Sequence, residues 1–362
     1  MSTTQESTSA LLANITGGKL ISADSHVQEE PSFWAKRLPA AMRDRMPQFS
    51  RAVAPAAHSQ QTLDNSRPGG TDPALRVEEM TQDGLAAEVL YPTLGLRLFS
   101  LEDAALQEAC FRVYNDWLVE YCQVAPQRLY GIACIPAYDI GKAVEELERA
   151  KKAGMVGAMV WQVPHADLPF TSDHYDPLWD AAQSLEMPIH LHILTGFDYS
   201  ALGGGREDPI EAHRGSVNLK LGSVTNAVFD LIFSGALERF PRLKVVIVES
   251  EIGWFPFVLQ QWDYYFRRFR GKRALSFDRE PSEFFQRQMY ATLFNDAVGG
   301  KVLSWWGMDQ CMWSTDYPHP NSSWPHSREL LAENLGHLPQ ETLGKLVRDN
   351  VVALYNINLP KD

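Results

Sequence analysis

Short apolar runs, several rich in β-branched residues, punctuate the chain at Leu20–Ala23, Ala87–Tyr91, Leu129–Ile135, Val156–Trp161, Pro188–Ile193, Leu243–Val248, Met289–Phe294 and Gln310–Ser314. Each is too short for a helix and is bounded by Pro, Gly, Asn or Asp, which marks it as a strand. Between most of them apolar residues recur at intervals of three and four, the period of a helix with one buried face. Such stretches run Leu101–Val124, Ile140–Ala153, Tyr175–Leu185, Asn218–Phe240, Phe255–Arg270, Phe284–Gln286, Lys301–Trp306, Ser327–Leu335 and Gln340–Tyr355. Gly154 follows the second of these as a C-terminal cap. Eight strands, each followed by helical or turn material, predict an α/β fold of the closed (β/α)8 or TIM-barrel type. An open doubly wound sheet would carry a Gly-rich phosphate loop after its first strand, and none follows Leu20–Ala23.

Two kinds of segment fall outside this alternation. Residues 1–17 read as a polar, flexible arm, leaving 18–362 as a single barrel domain. Arg51–Asp72 is rich in Ala, Ser, Gln, Pro and Gly without a period and reads as a long loop insertion. The Gly-rich excursion after the fifth strand, which contains His213, reads as a lid.

Composition narrows the function. The 362 residues include 33 Lys+Arg against 45 Asp+Glu, a formal charge of −12. That balance argues against a nucleic-acid or anionic-membrane surface, since both need clustered cations. No apolar run reaches the ~18 residues of a membrane span. The N-terminal residues lack the basic start and apolar core of a signal peptide. The four cysteines form no CxxC pair and read as reduced, which points to the cytoplasm. Ten Trp, seventeen Phe and twelve Tyr are many for one barrel. Several (Trp262, Tyr264, Tyr265, Phe266, Trp324) fall outside the strands, so a homo-oligomer, or pairing with a related chain, is expected.

In a barrel of this kind the chemistry sits at the C-terminal ends of the strands. The first strand ends in Asp24-Ser25-His26, and residues two apart share a face. The fifth, Pro188-Ile189-His190-Leu191-His192, places two histidines on one face, each with ring nitrogens that need partners. The sixth runs into Glu249-Ser250-Glu251, and the eighth into Asp316-Tyr317-Pro318-His319. Imidazoles gathered with carboxylates suit Zn, Mn or Fe better than Mg or Ca. Carboxylates so gathered repel unless a cation neutralises them. One or two divalent transition metals per chain are therefore expected. Softer candidates for contact with a small-molecule substrate are Arg76, His165 and His213. Asn295 and Asp296 follow the seventh strand, and Trp161, Trp313 and Trp324 are candidate pocket walls.

With these segments in view the chain resembles the amidohydrolase superfamily, in its amidohydrolase-related branch. The resemblance is carried by Ala23-Asp24-Ser25-His26-Val27-Gln28-Glu29, Asp176-Pro177-Leu178-Trp179 through His190-Leu191-His192, Phe229–Gly235 through Glu249–Trp254, and Ser314–His319. It implies Asp24, His26, His192 and Asp316 as metal ligands; Glu249, at the rim of the sixth strand, is a further candidate ligand or base. His192 is preferred to His190 by its place nearer the strand end, which leaves His190 a layer deeper. Asp316, Glu249 and His319 are then the acid/base candidates.

The sequence also departs from the branch. Asp24 stands where a His-x-His motif is common, Glu249 where many members carry histidine, and Glu251 where Gly is usual. No lysine ends the fourth strand to bridge two metals. The implied activity is hydrolysis or nonoxidative decarboxylation of a small carboxylated or carbonyl-bearing molecule. A dinuclear iron or iron–manganese oxygenase is the alternative among enzymes, and a non-catalytic, metal-containing barrel subunit the alternative outside them.

Overall fold

The computed structural model describes residues 19–46, 67–197, 219–272, 275–305 and 307–359. The proposed arm, most of the 51–72 insertion and His213 lie outside the described residues.

Eight strands form one sheet in the order of the chain: β1 Leu20–Val27, β2 Leu85–Pro92, β3 Leu129–Cys134, β4 Gly157–Val160, β5 Ile189–His192, β6 Val245–Val248, β7 Met289–Leu293 and β8 Cys311–Trp313. Every neighbouring pair is parallel. The principal helices between them are α1 Pro73–Asp83, α2 Ala104–Cys122, α3 Ile140–Lys152, α4 Asp176–Leu185, α5 Val224–Phe233, α6 Phe255–Phe269, α7 Pro281–Gln288 and α8 Ala297–Val302. Ser327–Leu335 (α9) and Asn350–Tyr355 (α10) follow β8. This is the (β/α)8 barrel expected from the alternation.

Local chemistry explains most boundaries. Asp72, Asp103, Asp139 and Asp296 cap the starts of α1, α2, α3 and α8 by accepting backbone N–H bonds. The helix expected over Asn218–Phe240 is broken, because Gly235 takes a φ of 76° and starts a separate turn, Ala236–Arg239. The stretch Gln340–Tyr355 is interrupted by a π turn, Lys345–Asp349. α10 is tied to β8 by Asn350, whose amide donates to the carbonyls of Met308 and Cys311 at 2.7 Å each.

The barrel closes between β1 and β8 largely beyond the strands. His26 N donates to Tyr317 O (2.6 Å) and Asp316 N to Asp24 O (3.0 Å). Below them lies a buried seam of hydroxyls, in which Thr315 meets both Ser22 (3.1 Å) and Ser25 (2.9 Å). The β1–β2 register shifts between Ser22 and Ser25, so β1 bends where it delivers Asp24 and His26. Trp161 and Trp313, candidate pocket walls in the sequence, are fully buried core residues. Trp324 packs on Tyr317, and Trp262 on Phe229 and Phe233.

Candidate metal centre

Strand ends β1, β5, β6 and β8 converge at the mouth of the barrel. The Nε2 atoms of His26 and His192 lie 3.3 Å apart. Asp24 Oδ1 lies 3.5 Å from the first and 3.7 Å from the second, and Glu249 Oε2 is 3.8 Å from His192 Nε2. Ligand atoms of Asp24, His26, His192 and Glu249 all lie within 4.8 Å of one another. His26, Asp316 and His319 form a second such group, with Asp316 Oδ1 3.6 Å from His26 Nε2.

The hydrogen bonds around the cluster set its chemistry. His26 Nδ1 donates to Pro92 O (2.7 Å) and His192 Nδ1 to Ile193 O (2.8 Å). A carbonyl oxygen can only accept, so both Nδ1 atoms carry protons, and each ring when neutral turns its Nε2 lone pair inward. Burial keeps His26 neutral, pushing its pKa well down, and the neighbouring His319 and His192 push the same way. Burial also opposes a proton on His192, but Asp24 and Glu249 outweigh it and raise that pKa. The negative field that holds a proton there would hold a divalent cation equally.

Asp24 is fully buried and neither of its carboxylate oxygens accepts a hydrogen bond. Burial therefore raises its pKa, with His192 acting against the shift. A buried carboxylate without donors is costly unless a cation meets it. Two bare imidazole nitrogens, this carboxylate and Glu249 fit a borderline transition metal such as Zn, Mn or Fe.

Asp316 stands somewhat apart. Its Oδ1 accepts from His319 Nδ1 at 2.7 Å, and His319 Nε2 lies 3.2 Å from Thr93 Oγ1. The His319 ring stacks on that of His26 at 4.0 Å. Burial disfavours charge on His319, but the Asp316 carboxylate more than compensates and its pKa rises to about 9. Glu249, Glu251, Asp316 and Leu194 all adopt positive φ (59°, 57°, 56° and 65°) at this end of the barrel. Such strain persists only where surrounding contacts impose it. Asp296 supplies some of them, accepting from Ile252 N and Gly253 N (2.7 Å each) and Gly299 N (2.6 Å). A Cβ on Gly299 would come within 2.5 Å of Asp296 Oδ2, so only glycine admits this clamp.

The other residues singled out in the sequence lie elsewhere. His190 sits one layer deeper, its Nδ1 2.7 Å from the Tyr91 hydroxyl and its ring stacked on Tyr355. Burial depresses its pKa to about 3, so it is neutral. Arg76 is not at the mouth. Fully buried, it pairs with Glu88 (Nε–Oε2 2.5 Å) and donates to His26 O (2.7 Å), bracing β1 from behind instead of meeting a substrate carboxylate. His165 joins an aromatic group with Tyr138 and Phe197 and is outside both donor groups. Glu251 Oε2 accepts from Phe294 N (3.1 Å).

Sequence reasoning missed Thr93 and Glu29. Glu29 accepts from the backbone of Thr93 (3.1 Å), Leu94 (2.9 Å) and Gly95 (3.3 Å), fixing the loop that brings Thr93 to His319. The available signal was Pro92-Thr93 at the end of β2, a strand end like those that were searched.

Comparison with known proteins places the chain in a family. The model of a family described as amidohydrolase matches residues 24–357. A decarboxylase, orsB, of Emericella nidulans is 27% identical over 271 residues, covering 70% of this chain and 78% of that protein. The gamma-resorcylate decarboxylase of Polaromonas sp. (strain JS666) is 25% identical over 244 residues, covering 61% and 70%. Among solved structures, dihydroxybenzoic acid decarboxylase from Polaromonas sp. JS666, with bound manganese and the inhibitor 2-nitroresorcinol, superposes with a TM-score of 0.68. That match has 20% identity and covers 94% of this chain and 98% of the other.

Proposed function

The chain belongs to the amidohydrolase family and is an enzyme of it, and from that premise we propose metal-dependent, nonoxidative decarboxylation of a small aromatic carboxylate. The observation that carries this reading is the buried Asp24 carboxylate, without a hydrogen bond, facing the inward Nε2 atoms of His26 and His192. Relatives named as decarboxylases supply the reaction class. Neither bears the name of an oxygenase, and the oxygenase and non-catalytic alternatives find no support there.

Asp24, His26, His192 and Glu249 would hold the ion. His26 Nε2 belongs to both donor groups but has one lone pair, which favours a single ion per chain. When bound, such an ion polarises a substrate oxygen as a Lewis acid. The chain's own acid is the Asp316–His319 pair. Its proton is held on His319 and lies along a 2.7 Å bond to Asp316 Oδ1. Thr93 fixes the far side of the imidazole.

Decarboxylation needs one proton delivered to the ring carbon that bears the carboxylate. The C–C bond then breaks, its electron pair returns to the ring and CO2 leaves. His319 passes its proton along the 2.7 Å bond to Asp316, which delivers it to the ring carbon, and His319 then takes a proton from solvent. The test is turnover of hydroxybenzoates by the metal-loaded protein in D2O. One CO2 per product, deuterium at the vacated ring carbon, no O2 uptake and loss of turnover in Asp316→Asn are expected. Inactivity on all aromatic carboxylates at one bound metal, or O2-dependent hydroxylation, would overturn the proposal.

The partner reading stays with a second copy or a related chain. Phe257, Tyr264 and Tyr265 on α6 are 66%, 52% and 45% exposed. Sedimentation at micromolar concentration checks it, a species near 41 kDa (chain mass 40.8 kDa) at every concentration excluding self-association. The cytoplasmic reading draws on four free cysteines. Among the described residues no helix is long and apolar enough to cross a membrane.

A further inference from the structure

At the end of the barrel opposite the metal centre, a cavity of about 640 Å³ opens between the starts of β5, β6 and β7 and the end of α10. Lys151, Arg242 and Lys244 line it, with Glu186 the single carboxylate of the lining. Lys151 and Arg242 are exposed and Lys244 is half-buried. Lys151 Nζ donates to a carbonyl, Glu186 O (3.5 Å), and Lys244 Nζ to another, Arg287 O (2.7 Å). Arg242 is anchored through its backbone, its N–H donating to Gln183 Oε1 (3.2 Å). Among the described residues its guanidinium has no hydrogen bond or ion pair, and no carboxylate lies within ion-pair distance of any of the three.

Several other surface cations are paired with carboxylates. Arg239 pairs with Asp176 at 2.8 Å, Arg267 with Glu280 at 2.5 Å and Lys345 with Asp309 at 2.7 Å. In a chain of formal charge −12 this cavity carries three cations against one carboxylate, Glu186. Lys244 is half-buried, and its pKa is pushed down by that burial and by Arg287 beside it. Cations that share one wall favour an anion beside them.

We propose that this cavity binds the phosphate group of a small phosphorylated molecule. A guanidinium fork and two ammonium groups match the several acceptor oxygens and double charge of a phosphate. A single carboxylate would leave one cation unmatched. Met187 and Leu354 on the same wall give an organic remainder an apolar surface.

The test is isothermal titration of the metal-loaded protein with inorganic phosphate and with phenyl phosphate at constant ionic strength. The variants are Arg242→Ala, Lys244→Met and their combination. One saturable site per chain is expected, weakened about tenfold or more in each single variant, as for loss of one charged hydrogen bond. Tighter binding of phenyl phosphate identifies an ester as the natural ligand, and equal binding identifies free phosphate. Turnover without phosphate should be unchanged in Arg242→Ala, whose guanidinium has no partner to lose among the described residues. Absence of saturable binding, or equal affinity in wild type and the double variant, overturns the proposal.

Discussion

Removing either member of the Arg76–Glu88 pair should destabilise the barrel more than almost any other single polar change. Both side chains are buried, at 0% and 1% exposure, so water does not screen them. Arg76 Nε donates to Glu88 Oε2 (2.5 Å), Nη1 to His26 O (2.7 Å), and the guanidinium lies 4.4 Å from the Tyr317 ring centre. Arg76→Met would leave the Glu88 carboxylate with the Ser25 hydroxyl at 3.2 Å as its remaining side-chain donor. Glu88→Gln would leave a buried guanidinium without its counter-charge. Breaking a buried pair from one side costs about 3–5 kcal/mol.

The double variant Arg76→Met/Glu88→Leu removes both charges and should cost at least about 2 kcal/mol less than the sum of the singles. The assay is urea unfolding at fixed metal concentration, with metal content measured in parallel because Arg76 holds the His26 carbonyl. Additive single effects would refute the reasoning. So would an Arg76→Met protein of unchanged stability with a raised KM, the behaviour of a residue that meets substrate.

Three further outcomes follow from the site. Chelation should lower wild-type stability by about 3–4 kcal/mol if metal was present at 100–1,000 times its Kd, whereas Asp24→Asn and His192→Ala should contain little metal and barely respond; normal metal content in both would remove them as ligands. Glu249→Gln keeps the shape but loses the charge, and should lower metal content or turnover; full retention of both would place Glu249 outside the centre. Burial raises the Glu29 pKa from 4.5 to about 7 against the pull of its backbone donors, so the stability tied to its protonated form is complete below pH 4.5 and lost as pH rises through 7, by about 3 kcal/mol in all. Glu29→Gln does not titrate, and should flatten that part of the stability–pH curve; an unchanged slope would contradict the assignment.

Hydrophobic period and turn residues were enough to find all eight strands and the barrel, because in a parallel sheet covered by helices each strand must be apolar and each connection must be punctuated. The same logic put Asp24, His26, His190, His192, Glu249 and Asp316 at strand ends, since polar residues at the ends of apolar strands have one place to go. What pattern alone could not determine is which polar side chains meet. Arg76 and Arg242 are both charged residues of unremarkable local context, yet Arg76 is sealed behind β1 against Glu88, and the Arg242 guanidinium stands at a cavity with no ion partner among the described residues.

Tertiary structure also divided the donors into two groups around His26 and brought Thr93, 226 residues away in sequence, to His319. It gave Glu29 and Asp296 the task of holding loops, through backbone N–H groups that no side-chain pattern records. Periodicity reports how each segment faces the core. Pairing between segments depends on register, bulges and backbone bonds such as those joining β1 to Tyr317 and Asp316. Those arise only when distant parts of the chain are packed together.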